Sequence, residues 1–512
     1  MFNFSAILDR NLERWPNREV IAFGDRRLDN RMLFDRVNAL ARGLMELDIG
    51  RGDVVAILLY NCPEFLEATF AINKLGAVWL PLNYRLAAAE WQYILGHSGA
   101  KAIVSEAEFV PSIDAIVGKL PALQQRVLVG AGAGRPWTAF ETLVEPYLGE
   151  RVSNVEVGED DLQRLMYTSG TTARPKGVMI TYGNLLWKNV GHILEFGITS
   201  RDRTLIAGPL YHVGGMDLPA SAVLYAGGSV VLLRKFDAHE TMATIQAEGI
   251  TNLWLAPAMV NMVLQLPQLE SYDTASVRFI INGGEKMPIP LIQRILRAFP
   301  KAWFSDAYGL TETVSGDTFM DHEHVITKIG SVGKPVIHLA VRVVDEEGRD
   351  VPPNQLGEVV LRGPKVFKGY WRDPEATAAA IREGWFHTGD IGRLDEDGYL
   401  YIEDRKKDLI ISGGENIASS EVERALYEHP SVVEAAVIGV PNRRWGEVPK
   451  AFVVLRPGAT VTAEELVAHC RQRLARFKVP RYVEFIEALP RNPSGKVLKR
   501  ELRERAHVVS MG

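Results

Sequence analysis

Between about residues 50 and 130, short apolar runs (VVAILLY, KAIVSE, QRVLVG) alternate with segments whose apolar positions recur at helical spacing, EFLEATFAINKLGAV and AEWQYILGHSG. Strand and helix in turn predict a layered α/β sheet. The pattern returns between about 203 and 308, where TLIAGPL, SVVLLRKF, TNLWLAP and VRFIING alternate with HETMATIQAEGI and PLIQRILRAFP. A second α/β layer is expected there. Around 330–405 the texture changes to short β-rich runs, VRVVDEEGRDV and GEVVLRGP, broken by glycine and proline turns, which predict a small β unit. After DRKKD at 404–408, helix SSEVERALYEHP, strands VVEAAVIGV and KAFVVLRPG, and helix TAEELVAHCRQRLARF predict a separate α+β domain. No repeat of solenoid or propeller length is present.

Composition narrows the classes. At 512 residues the chain exceeds the size at which one core stops growing, so two or more folding units are expected. With 47% hydrophobic and 24% charged residues it reads as globular, and a net charge of -5 lacks the basic footprint of a nucleic-acid binder. The two cysteines, Cys62 and Cys470, support neither a disulfide framework nor a zinc site and fit a reducing, cytoplasmic compartment. Asp9, Arg10, Glu13 and Arg14 interrupt any signal-peptide core, and the apolar runs are far shorter than the roughly 20 residues that span a bilayer.

The segment MYTSGTTARPKGVMIT at 166–181 concentrates chemistry. Backbone N–H groups at Gly170, hydroxyls of Thr168, Ser169, Thr171 and Thr172, and the Lys176 ammonium together match phosphate oxygens in geometry and charge. Pro175 stands where a Walker loop needs glycine before its lysine, which disfavours a P-loop nucleotidase. GAGAG at 130–134 is followed by Arg135 and Pro136 rather than the third glycine of a dinucleotide fold, and DHEH at 321–324 lacks further metal ligands nearby.

YTSGTTARPKG resembles the phosphate loop of the acyl-adenylate-forming superfamily, which holds acyl-CoA synthetases, luciferases and peptide-synthetase adenylation domains, and the rest of the chain agrees in order. The resemblance implies a large N-terminal domain, 1–406, of two layered α/β subdomains plus a small β-barrel, and a smaller mobile α+β domain, 407–512. It assigns Thr311 to phosphate and Glu312 to magnesium in YGLTE, which also brings Tyr308 and Gly309 to the nucleotide. It assigns Asp390 of WFHTGD and Arg405 of DRKKD to the ribose, and Gly283, Gly284 and Glu285 of INGGEKM to the adenine edge and a wall of the acyl pocket. His212 of PLYHVGGMD falls beside that pocket, with Val213, Gly214, Met216, Gly283 and Gly309 around it.

The same resemblance implies a hinge at Lys407 and a catalytic Lys496 in PRNPSGKVLKREL, whose ammonium would stabilise charge developing as pyrophosphate leaves. Gly413, Gly414 and Glu415 of ISGGENI would border the pantetheine arm of coenzyme A, and Lys478 is a candidate for a CoA phosphate. The expected reaction joins a small-molecule carboxylic acid to CoA through acyl-AMP, using ATP and Mg²⁺; the paired glycines suggest a roomy pocket for a fatty, aromatic or bulky alicyclic acid. An enzyme that loads a carrier protein and an inactive binding protein are the alternatives, and a homodimer stays open. An amino-acid substrate is disfavoured, since Val213 and Gly214 supply no carboxylate, although Asp217 lies close in sequence. The chain departs from the family at Ala173, where the loop usually has glycine and a left-handed residue costs roughly 1–2 kcal/mol, and at Glu285, where many relatives have a small residue.

Overall fold

The computed structural model describes residues 2–132, 134–168, 175–405, 408–412, 415–442, 445–491 and 497–510. Ser169, Gly170, Thr171, Thr172, Ala173, Lys407, Gly413, Gly414 and Lys496 therefore lie outside the described residues, as do the side chains of Arg405 and Glu415.

Two large sheets carry the N-terminal part. The first has eight strands in the spatial order Gly369–Tyr370, Lys176–Thr181, Leu162–Thr168, Val78–Pro81, Val54–Leu58, Ala102–Glu106, Gln125–Val129, Thr138–Ala139. Its central pairs are parallel, and their strands are buried on both faces, the near-continuous apolar run that helices on either side require. The second has nine strands, with Arg203–Ile206, Asn252–Leu255, Phe279–Asn282 and Trp303–Tyr308 parallel at its centre. A five-stranded antiparallel sheet follows, built on Ala340–Val344, Gly357–Arg362 and Trp385–Leu394. Beyond residue 409, Ile410–Ser412, Glu415–Ile417, Val432–Asn442, Gly446–Leu455 and Tyr482–Phe485 form a fourth sheet with its own apolar clusters.

One local expectation changes. The helix that begins at Pro63, with proline in its first turn, stops at Lys74; Gly76 then takes φ +66, and Val78–Pro81 leaves as a strand instead of prolonging the helix to Val78. The N-terminal segment also supplies Glu19–Phe23 and Arg26–Asp29 to the second sheet, where Ile21 pairs with Val230 more than two hundred positions away. No helix among the described residues is long and apolar enough to cross a membrane.

Candidate active site

Four chemically marked segments follow the C-terminal ends of parallel strands, where open α/β sheets collect their ligands. The phosphate loop follows Leu162–Thr168, residues 209–217 follow Arg203–Ile206, 283–287 follow Phe279–Asn282, and 309–312 follow Trp303–Tyr308. Thr168 and Lys176, the two described ends of the phosphate loop, are register partners in an antiparallel pair.

Lys176 and Glu312 converge on Tyr370. The Lys176 ammonium lies 4.9 Å from the centroid of the Tyr370 ring, and the Tyr370 hydroxyl donates to Glu312 Oε1 at 3.0 Å. Burial and the neighbouring Glu312 charge push the Tyr370 phenol well above its usual range, so it stays a donor. The backbone holds this arrangement, because Tyr370 pairs with Val178 and the Phe367 N–H donates to the Glu312 carbonyl at 2.7 Å. Thr311 and Glu312 sit in one turn of 3₁₀ helix, after which Val314, Ser315 and Gly316 all have positive φ. Two non-glycine residues in that region are strained, and the buried Lys365 ammonium secures the loop by donating to the Ser315 carbonyl at 2.8 Å, the Gly316 carbonyl at 2.6 Å and Asp317 Oδ1 at 2.7 Å.

The ribose candidates also meet. Asp390 and Arg405 are register partners across Trp385–Leu394 and Leu400–Arg405, and the Tyr308 hydroxyl donates to Asp390 Oδ2 at 2.7 Å. Burial first, and then the Asp390 charge, push the Tyr308 phenol well above its ordinary value. Gly284 has φ +102 with open space where a side chain would stand, whereas a Cβ on Gly283 would meet the Ala307 carbonyl at 2.9 Å and one on Gly309 the Gly316 nitrogen at 2.4 Å. These two glycines serve close backbone packing. A cavity of about 350 Å³ is lined by Gly284, Asp306, Tyr308 and Asp390 on one side and by Arg424, Arg491 and Lys499 on the other.

His212 caps the short helix Val213–Asp217, its Nδ1 accepting from the Gly214 N–H at 3.0 Å, which places the ring proton of the neutral imidazole on Nε2. Val213 and Met216 are buried in the main core. The space left by the glycines is taken: a Cβ on Gly214 would lie 2.5 Å from the Trp254 ring, and one on Gly215 would lie 2.2 Å from the Pro209 carbonyl. The room expected from paired glycines is thus filled by an indole and by backbone. Asp217 is fully buried and ion-paired with Arg164 at 2.7 Å, while the Lys188 ammonium donates to its carbonyl at 2.5 Å. Burial lowers Lys188 to about 7 despite that neighbour. Asp217 is therefore committed to the core and unavailable to a substrate amine.

Other candidates are engaged within the protein. Lys478 pairs with Glu421 at 2.7 Å, and Glu285 accepts from the Val497 N–H at 2.8 Å. Ile410–Ser412 and Glu415–Ile417 form an antiparallel hairpin whose ends Ser412 and Glu415 flank Gly413 and Gly414. His324 and Asp321 pair at 2.7 Å, and the described residues contain no group of three or more metal-ligating side chains. A magnesium site carried largely by phosphate and water needs only one or two carboxylates, so Glu312 fits.

Asp306 and Asn282 escaped the sequence reading, although the first lies two residues before Tyr308. Asn282 donates to Asp306 Oδ1 at 2.7 Å, and burial pushes the carboxyl up to about 7, opposed by that bond, by the Ala307 N–H and by the Lys286 charge.

Residues 8–371 match the AMP-binding enzyme family, and residues 421–496 match the AMP-binding enzyme C-terminal domain. The chain is 40% identical over 492 residues to a feruloyl-CoA synthase of Amycolatopsis sp, covering 96% of each. It is 38% identical over 502 residues to an indoleacetate–CoA ligase of Aromatoleum aromaticum, covering 98% of this chain and 97% of that one. The crystal structure of the anthranilate CoA ligase AuaEII in complex with anthranoyl-AMP superposes with a TM-score of 0.93 at 29% identity, covering 100% of this chain and 98% of the other. Sequence, fold and the order of the site segments agree, and the chain belongs to the AMP-binding enzyme family.

Proposed function

We propose that the protein is an AMP-forming acid–CoA ligase whose acid is apolar, with planar aromatic acids its preferred class. The observation that carries the acid's character is the segment beside His212: Trp254 packs against Gly214, and Asp217 is withdrawn into an ion pair with Arg164. In this reading that segment meets the acid with apolar and aromatic surface and offers no carboxylate to a polar substituent. The similarity to ligases named for ferulate, indoleacetate and anthranilate supports the same class.

In this reading the phosphate loop with Lys176 holds the ATP phosphates, and Asp390 with Arg405 holds the ribose. Glu312 would hold Mg²⁺, which when bound neutralises phosphate charge. Lys496 stabilises the charge that develops between the carboxylate and the α-phosphate as pyrophosphate departs. The chain divides at 406/407, and rotation about Lys407 replaces Lys496 by the Gly413–Gly414–Glu415 side, where the CoA thiol attacks the acyl-AMP and AMP leaves. The paired Lys478 is not needed for this scheme. A cytoplasmic location accords with two buried, unpaired cysteines.

The test is a panel of aromatic, fatty and alicyclic acids assayed for acid-dependent pyrophosphate release and for acyl-CoA. Pyrophosphate and AMP with aromatic acids foremost are expected. ADP and phosphate as products, or preference for an amino acid, would overturn the proposal.

A further inference from the structure

The carboxylate of Glu285 joins the nucleotide-side strand end to the far end of the chain. Its Oε1 accepts the Val497 N–H at 2.8 Å, and its Oε2 lies 3.5 Å from Arg491 Nη1. A second nitrogen of Arg491 is held by Glu434 at 2.8 Å. Arg491 and Val497 are bridged to each other, and the Leu498 N–H donates to the Pro490 carbonyl at 2.8 Å, so 490–491 and 497–498 meet as an antiparallel neck. Glu285 therefore grips both sides of that neck. Lys496 is the residue next to Val497. The adjoining Lys286 reaches Glu403 at 2.8 Å and Ser420 Oγ at 3.3 Å, so consecutive residues of one turn engage the chain beyond residue 400.

We propose that Glu285 is a positioning residue for the acid-adenylating step: it holds the 491–497 neck against the nucleotide-side domain and releases it when the C-terminal domain turns. The inference rests on the reading of Lys496 as the lysine of that step. Its physical basis is that all three side chains are only about a quarter exposed or less, at 25%, 23% and 21% for Glu285, Arg491 and Glu434, where charge-assisted bonds are screened less than at a free surface. Rotation must break these bonds, so they favour one orientation and act on one half-reaction. A nucleotide contact by the same carboxylate would instead appear in ATP binding.

The experiment compares wild type, Glu285→Ala, Glu285→Gln and Arg491→Ala in the two half-reactions and by hydrogen–deuterium exchange. For Glu285→Ala, kcat for acid-dependent pyrophosphate release should fall about 10- to 100-fold, the range of a lost charge-assisted hydrogen bond, with the KM for ATP nearly unchanged. Acyl-CoA formation from presynthesised acyl-AMP and CoA should be retained or faster. Glu285→Gln keeps an acceptor for the Val497 N–H and should recover part of the loss, and Arg491→Ala should resemble Glu285→Ala. Exchange should rise in peptides covering 490–500 and stay as in wild type elsewhere. A rise in the KM for ATP alone, an equal fall in both half-reactions, or unchanged exchange at 490–500 would each overturn the proposal. If wild type forms no acyl-AMP from any acid, the functional reading fails, and the exchange measurement by itself decides whether Glu285 holds the neck.

Discussion

Arg164 and Asp217 meet at 2.7 Å with side chains 1% and 0% exposed, joining the strand that enters the phosphate loop to the helix that carries Gly214 and Met216. The Arg164 guanidinium also lies 5.2 Å from the centroid of the Trp79 ring. Removing one partner strands a buried charge, which typically costs about 3–5 kcal/mol. Asp217→Ala should therefore lower Tm sharply, and Arg164→Met together with Asp217→Leu should restore much of it. Thermal unfolding of wild type and the two variants checks this; a wild-type Tm for Asp217→Ala would contradict it.

Gly214 and Gly215 separate the proposed acid pocket from the fold. Alanine at 214 presses on a side-chain ring, so Trp254 must shift, and the KM for the acid should rise roughly tenfold with stability lowered by about 1–3 kcal/mol. Alanine at 215 presses on the Pro209 carbonyl, which has no rotamer to change, and should reduce folded yield itself. Steady-state kinetics and Tm for the pair distinguish the two, and equal behaviour would contradict the packing argument.

Asp306 makes stability pH-dependent. Its folded value, about 7, lies above the ordinary carboxylate value of 3.8, so the folded protein binds more protons than the unfolded chain between them. Its contribution is fully present below the unfolded value and is lost as pH rises towards 7, roughly 2–3 kcal/mol between pH 5 and 8. Asp306→Asn should remove that component. Denaturant titrations of both proteins across this range should diverge with the variant gaining relative stability at high pH; parallel curves would show that the carboxyl is already ionised at pH 5.

Glu312 and Tyr370 can be tested through magnesium. Glu312→Gln removes the charge, and the Mg²⁺ concentration for half-maximal pyrophosphate release should rise about tenfold or more, the equivalent of one charge-assisted contact. Tyr370→Phe leaves the charge but removes the hydroxyl that orients it at 3.0 Å, and should give a smaller shift of about two- to fivefold in the same direction. A Mg²⁺ dependence unchanged in both would remove Glu312 from the metal site.

The alternation of strand and helix was legible because parallel strands buried on both faces are uninterrupted apolar runs, as at Val54–Leu58 and Phe279–Asn282. The same property hid Val78–Pro81, whose apolar residues continue those of the preceding helix without a change of period; Gly76 was the available signal. Motif order named Tyr308 and Asp390, which share a hydrogen bond, and Lys176 and Glu312, which share Tyr370 as a neighbour. What filled the glycine gaps was not legible, because Trp254 arrives from a strand forty positions beyond Gly214 and only the folded sheet brings them together. Long-range charge pairing was hidden for the same reason: Lys478 finds Glu421 57 residues earlier, and Glu285 reaches Val497 212 residues later.

The spatial order of the strands bears on how copies of this chain can associate. The eight-stranded sheet ends on both sides in two-residue strands, Gly369–Tyr370 and Thr138–Ala139. The nine-stranded sheet ends in Lys334–Pro335, where proline offers no N–H, and in Arg26–Asp29, three of whose four residues are charged. Short, proline-bearing and charged margins are the features by which sheets refuse another chain's strand. Among the described residues neither large sheet has a long flat margin to extend, so two copies would not join edge to edge through these two sheets.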